Sequence, residues 1–179
     1  MFASPRLLML GLLACGSSPA PAALPEPVRF APCALGTQRL ELPVPEGRVL
    51  VAAPEACVLA REEDDGTLLV ITALESGTEA FEAARDDPDR FVAGLALLGS
   101  APERTGAGGA RFLGRERRTT RWRTSVDPYG AREVHSLRAE ALAPAGLQVL
   151  LVLAIHAPGD SEAASSLFAI LAAARLPRD

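Results

Sequence analysis

Two histidines, three cysteines and one dense run of arginines are the side chains from which chemistry could be built. Nucleophilic catalysis needs a nucleophile, a base and an orienting group brought together. Serines and aspartates are plentiful, but the imidazoles are limited to His135 and His156. His156 ends an apolar run before an Ala-Pro-Gly turn, and bonding to backbone is its expected role. His135 lies within an alternating segment and is expected to face solvent. G-x-S-x-G and H-E-x-x-H are absent, and Gly106-Ala-Gly-Gly109 follows a helix and precedes a strand, the reverse of a phosphate-binding loop. Glu62-Glu-Asp-Asp65 lacks the spaced ligands of a calcium loop and reads as a solvated turn. There is no C-x-x-C, and the histidines lie far along the chain from the cysteines. The expectation is therefore no metal site, no cofactor and no catalytic set, hence a protein that is not an enzyme.

Charge is distributed unevenly. Residues 41–103 carry fourteen acids and four arginines, and residues 111–138 carry eight arginines and three acids. Within Gly114-Arg-Glu-Arg-Arg-Thr-Thr-Arg-Trp-Arg123, the residues Arg115, Arg117, Arg121 and Arg123 share one parity. On a strand they would line one face while Trp122 points to the other. Such a face suits an anionic partner: phospholipid headgroups, lipopolysaccharide phosphates or an acidic protein. The plainer reading, which the composition favours, is a solvated strand face in a chain with no lysine or asparagine and heavy use of arginine. In that case Trp122 sits in the core under a helix.

The cysteines speak to compartment. Arg6 is followed by Leu7-Leu-Met-Leu-Gly-Leu-Leu-Ala14, the short charged and apolar regions of a secretory signal. Eight residues of helix rise only about 12 Å and cannot span a hydrocarbon core of about 30 Å. Leu12-Leu13-Ala14-Cys15 resembles the bacterial lipobox. The resemblance implies cleavage before Cys15 and acylation of its thiol, an anchor to the membrane. Ordinary cleavage near Ala20, Ala22 or Ala23 is the alternative. Residues 16–28 hold four prolines in thirteen positions and make a semi-extended tether. No Asp follows Cys15, which by resemblance to lipoproteins of double-membraned bacteria points to the outer membrane, facing the periplasm or the cell surface. With Cys15 acylated, Cys33 and Cys57 remain as an even pair, read as a disulfide in an oxidising compartment. Two buried free thiols are the alternative. Export argues against nucleic acid as a partner.

The chain thus divides into a signal at 1–14, a lipidated cysteine and tether at 15–28, and one domain at 29–179. Gln38–Leu42 alternates as a strand, Arg48–Ala52 and Ala56–Arg61 are short apolar runs, and Thr67–Leu74 is a strong strand. Ser76-Gly-Thr-Glu79 has capping-box spacing. Asp87-Pro88 is a second helix start, so two short helices or one kinked helix are expected over 78–98. Residues 100–110 read as a loop, followed by strands at Arg111–Val126, Arg132–Leu142 and Leu147–Ile155. The last contains one polar residue, Gln148, as in a central strand covered on both faces. Asp160 or Ser161 caps a final helix that Pro177 stops. The class is α+β: an antiparallel sheet of about six strands with helices on both faces.

This order, ending in Ser166-Leu-Phe168-Ala-Ile170-Leu-Ala-Ala-Ala-Arg175, resembles the PsbP/DcrB-like α/β/α sandwich over residues 38–176. That family includes photosystem accessory subunits, a nuclear-import accessory protein and many bacterial lipoproteins, and it has no shared catalytic motif. The resemblance implies a binding or assembly role, an envelope lipoprotein docking a partner. A carrier of a small apolar ligand between sheet and helix is the alternative.

Overall fold

The computed structural model describes Leu24 and residues 28–99, 102–143 and 146–177. The signal, Cys15 and most of the tether lie outside these. The first strand, β1 (Val28–Leu35), already includes the residue expected to end the tether. It pairs only with β2 (Gln38–Pro45), making a separate two-stranded sheet.

Seven strands form the main sheet: β3 (Arg48–Ala52), β4 (Ala56–Arg61), β5 (Leu68–Glu75), β6 (Glu103–Phe112), β7 (Arg115–Val126), β8 (Gly130–Ala143) and β9 (Gly146–His156). Their spatial order is β3-β4-β5-β9-β8-β7-β6, antiparallel throughout. The most apolar strand, β9, therefore sits between β5 and β8 and is buried along nearly its whole length. Its alternate residues serve two cores. Leu150, Val152 and Ala154 pack with Cys57, Leu69, Ile71 and the hairpin residues Leu35, Leu40 and Leu42. Leu151, Leu153 and Ile155 pack with Trp122, Val134, Val92 and Leu98. Each such side chain taken from water contributes about 1.5–3 kcal/mol, which explains why register is fixed on both faces.

Helices cover both faces, as expected, although the β1–β2 hairpin shares one of them. α1 (Glu79–Asp86) and α2 (Pro88–Ala93), followed by a 3₁₀ turn at Ala96–Leu98, lie on the Trp122 face. Thr78, not Ser76, is the cap of α1: its hydroxyl accepts from the Phe81 amide at 3.1 Å. Asp87 caps α2 as predicted, accepting from the Arg90 amide. α3 (Ser161–Ala173), capped by Asp160, lies on the opposite face and packs Leu167, Ile170 and Leu171 into the hairpin core. Among the described residues no helix is long and apolar enough to cross a membrane.

Two expectations are corrected. Residues 103–110 are not loop but most of β6, an edge strand, and the predicted strand at Arg111–Val126 turns at Leu113-Gly114, both with positive φ. The glycines of β6 leave room for its neighbour. A Cβ on Gly106 would stand 3.0 Å from the Arg121 guanidinium, and one on Gly108 3.2 Å from the Thr119 hydroxyl. Leu113 holds a turn position that favours Asn or Gly because its side chain packs against the hairpin core.

The β6–β7 hairpin also leaves the sheet. β7 pairs with β8 only from Thr119↔Leu137 to Val126↔Gly130. Toward its tip β7 keeps its bonds to β6 down to Phe112↔Arg115, while β8 continues beside β9 to Ala143↔Gly146. Residues 109–118 are thus a two-stranded ribbon, parted from β8 and reaching α3, with Phe112 fully buried in the core beneath that helix.

Candidate functional site

The fork where β7 parts from β8 opens a cleft of about 440 Å³ under the α1–α2 junction. Asp86, Asp87 and Asp89 face Glu116, Arg118 and Arg138 across it, with Thr120 and Ser136 at the base. Arg138 donates to the carbonyls of Ala84 and Arg85 and so finishes α1. Asp89 accepts from Thr120 at 2.9 Å and pairs with Arg104 at 3.3 Å. At the base Trp122 Nε1 donates to Ser136 Oγ at 2.9 Å. A sheet–helix cavity therefore exists, but its walls are charged, which does not match an apolar ligand. A second depression of about 470 Å³ is lined by Ala83, Phe91, Gly94 and Leu95 with Asp86, Asp87 and Arg90, all from the helical segment and none from the sheet.

The arginines fall as parity predicts. Arg121 pairs with His135 and Arg123 with Glu133, so both project from the α3 face of the sheet while Trp122 is buried on the other. Arg115 and Arg117 continue along the ribbon, opposite Phe112 and Ala110. Arg115, Arg121 and Arg123 are exposed, and Arg117 is half-buried, its Nε lacking a partner among the described residues. Of the acids that could neutralise them, Glu133 takes Arg121 at 3.7 Å and Glu140 takes Arg138 at 3.5 Å. Arg115, Arg117 and Arg123, with Arg111 and Arg118 on the same ribbon, make no ion pair among the described residues.

The histidine expectations are half corrected. His156 does end its strand and bonds backbone, Nδ1 lying 2.8 Å from the Ala157 carbonyl. His135 does not face solvent. Its side chain is only 14% exposed, because α3 folds back over this end of the sheet. Its ring stacks on His156 at 5.3 Å and takes Phe168 of α3 edge-on at 5.0 Å. Glu133 stands directly opposite His156 in the ladder, two residues from His135, and its Oε1 is 3.1 Å from His135 Nε2. Residues twenty-one apart along the chain are therefore neighbours, which sequence spacing could not reveal. The signal that existed was parity: Glu133, His135 and, across the ladder, His156 face one way.

Burial lowers the His135 pKa from its ordinary value; the neighbouring His156 and Arg121 push in the same direction, and Glu133 opposes them. The folded protein thus binds this proton less readily than the unfolded chain, whose histidine titrates near 6.5. Stability should be full above that pH and fall as pH drops through it, by at most about 1.4 kcal/mol per pH unit for one group. Urea midpoints between pH 7.5 and 5.5, taken in EDTA, should show this slope for the wild type. His135→Gln should flatten it, and an unchanged slope in that variant would refute the assignment.

Asp64 and Asp65 of the acidic turn are used structurally. Asp65 accepts from the Thr67 amide at 2.8 Å and pairs with Arg61, and Asp64 accepts from the Tyr129 hydroxyl. Cys33 and Cys57 are disulfide-bonded, joining β1 to β4. The proposed lipid attachment, Cys15, lies outside the described residues.

No family model matches the chain, and no curated protein matches it. Solved structures do. LpqN of Mycobacterium tuberculosis, described as involved in cell envelope biogenesis, superposes with a TM-score of 0.51 at 16% identity, covering 84% of this chain and 92% of LpqN. The cyanobacterial PsbP of Synechocystis sp. PCC 6803 gives a TM-score of 0.51 at 16% identity, covering 83% and 92%. With a seven-stranded antiparallel sheet between α1–α2 and α3, the chain has the PsbP/DcrB-like α/β/α sandwich fold.

Proposed function

We propose that this chain is an envelope lipoprotein, held to a membrane by acylated Cys15, that works as a binding or assembly accessory and not as an enzyme. Its docking surface is the arginine-bearing β6–β7 ribbon and the adjoining face of β7, and its partner is anionic. The observation that carries this reading is that Arg111, Arg115, Arg117 and Arg118 of the ribbon pair with no carboxylate among the described residues. A solvated face that merely tolerates arginine would be expected to pair several of them with nearby acids, and Glu116 on the same strand pairs with none among the described residues. The envelope setting draws support from the lipobox-like Leu12-Leu13-Ala14-Cys15 and from the fold shared with LpqN, a protein of cell envelope biogenesis. Eight residues separate Cys15 from Leu24, which packs against the hairpin core, so at about 3 Å per residue the tether could hold the domain about 25 Å from the bilayer. Gly16, not Asp, follows Cys15, which by resemblance to lipoproteins of double-membraned bacteria points to the outer membrane. A single acyl chain would anchor only marginally, so two or three are expected.

The test is purification of the intact protein from membranes, with identification of what accompanies it. Wild type should retain an anionic partner that Arg115→Glu/Arg123→Glu loses. Both substitutions lie at exposed positions, so the variant should fold. Equal recovery by wild type and variant, or recovery of nothing by either, would sink the docking role. Separately, fatty-acid label should disappear in Cys15→Ser; label that persists removes the anchor.

A further inference from the structure

We propose that Glu133, His135 and His156 form a binding site for a divalent transition-metal ion of the zinc class. One donor atom from each of the three lies within 4.8 Å of the others. Two imidazoles and a carboxylate are a donor set suited to zinc and its late transition-metal neighbours, and too nitrogen-rich for calcium or magnesium.

Two features of His156 point to a ligand, and a third, at His135, is compatible with one. His156 is 2% exposed, and its Nε2 is buried with no hydrogen-bond partner among the described residues. A buried acceptor left unmade costs about 1–3 kcal/mol, so it persists where something else uses it. The other nitrogen, Nδ1, faces the Ala157 carbonyl at 2.8 Å. That contact fixes the tautomer with the proton on Nδ1 and leaves the Nε2 lone pair open, the outer-shell arrangement of metal-bound histidines. Third, His135 Nε2 and Glu133 Oε1 are already 3.1 Å apart, near the separation of two ligands on one tetrahedral ion with bonds of about 2.0–2.2 Å.

The rings lie 20° from parallel, so coordination calls for a rotation of His135. Its terminal torsion is soft, and it is the less buried of the two. Arg121, 3.7 Å from Glu133 Oε1, is the one arginine paired with this group among the described residues, and it can move to the second carboxylate oxygen. Three protein ligands leave a tetrahedral ion one open position. One carboxylate leaves a net positive site beside Arg121, so that position suits an anionic fourth ligand.

The full-length chain, stripped with EDTA in detergent, is titrated with ZnCl₂ by calorimetry at pH 7.5. One equivalent should bind. His156→Gln and His135→Gln should weaken binding by more than the tenfold to hundredfold that loss of an outer-shell partner costs, and Glu133→Gln by at least about tenfold. Because Glu133→Gln is nearly isosteric, it keeps the test decisive should a histidine variant misfold. Imidazole ¹⁵N spectra should show both Nε2 resonances moving with metal while the His156 Nδ1 signal stays. No binding by wild type, binding unchanged in the three variants, or unmoved Nε2 signals would each overturn the site.

Discussion

Phe112→Ala is expected to destabilise the domain by about 3–5 kcal/mol, read as a drop in the urea midpoint with little change in slope. Phe112 is fully buried, and it sits opposite the part of β7 that has parted from β8. Among the described residues, the ribbon beyond Thr119 makes no backbone bond outside its own hairpin, and Phe112, Ala110 and Leu113 hold it against the core under α3. Truncation removes the largest of these and leaves a cavity that a ribbon and a helix could close only by moving. For a domain whose whole stability is of order 5–15 kcal/mol, that is a large fraction. Phe112→Leu should cost much less. Amide exchange should localise the effect: protons of 109–118 should lose protection in Phe112→Ala before those of β9 do. A loss under about 1 kcal/mol would mean that the ribbon is not pinned as described, and the arginines it carries would then have no fixed geometry to present.

That ribbon is also where the sequence was hardest to read. Glycine is depleted in strands, so Gly106-Ala-Gly-Gly109 reads as loop until one sees that β7 crowds it with Arg121 and Thr119. Leu113-Gly114 is a turn that the usual Asn-Gly signature does not announce, because Leu113 trades backbone comfort for a core contact. β9, in contrast, was legible because a nine-residue apolar run too short for a membrane has few places to go other than the middle of a sheet. The helix cap at Asp87 was legible because it is local chemistry, and at α3 the same chemistry narrowed the cap to Asp160 or Ser161. His135 was misread for a reason that alternation cannot supply. Both faces of the sheet are covered, so a polar residue on the alternating pattern need not face water. Its neighbours Glu133 and His156 were chosen by strand register, a property of pairing between segments and not of either one.

Replacing both Cys33 and Cys57 by alanine is expected to cost about 3 kcal/mol, the chain-entropy value for a loop of twenty-four residues. The size of the effect follows from what the bond joins. The β1–β2 hairpin is its own sheet, and two-stranded sheets are marginal alone. It is attached to the main sheet by buried apolar contacts and a few backbone bonds. These include Gly36 N to the Pro54 carbonyl at 2.9 Å and the Glu41–Arg175 bridge to the chain after α3. Without the cross-link those contacts must hold four core residues, Leu35, Leu40, Leu42 and Val44, and the half-buried Ala31 against fraying. The double variant, or wild type under dithiothreitol, should therefore show a lowered urea midpoint and early exchange of β1 and β2 amides. α3, which leans on β2, should follow. Stability within about 0.5 kcal/mol of wild type would show the bond to be dispensable. With the expected loss, a chain kept reduced would lose much of its margin before any partner or metal could bind it.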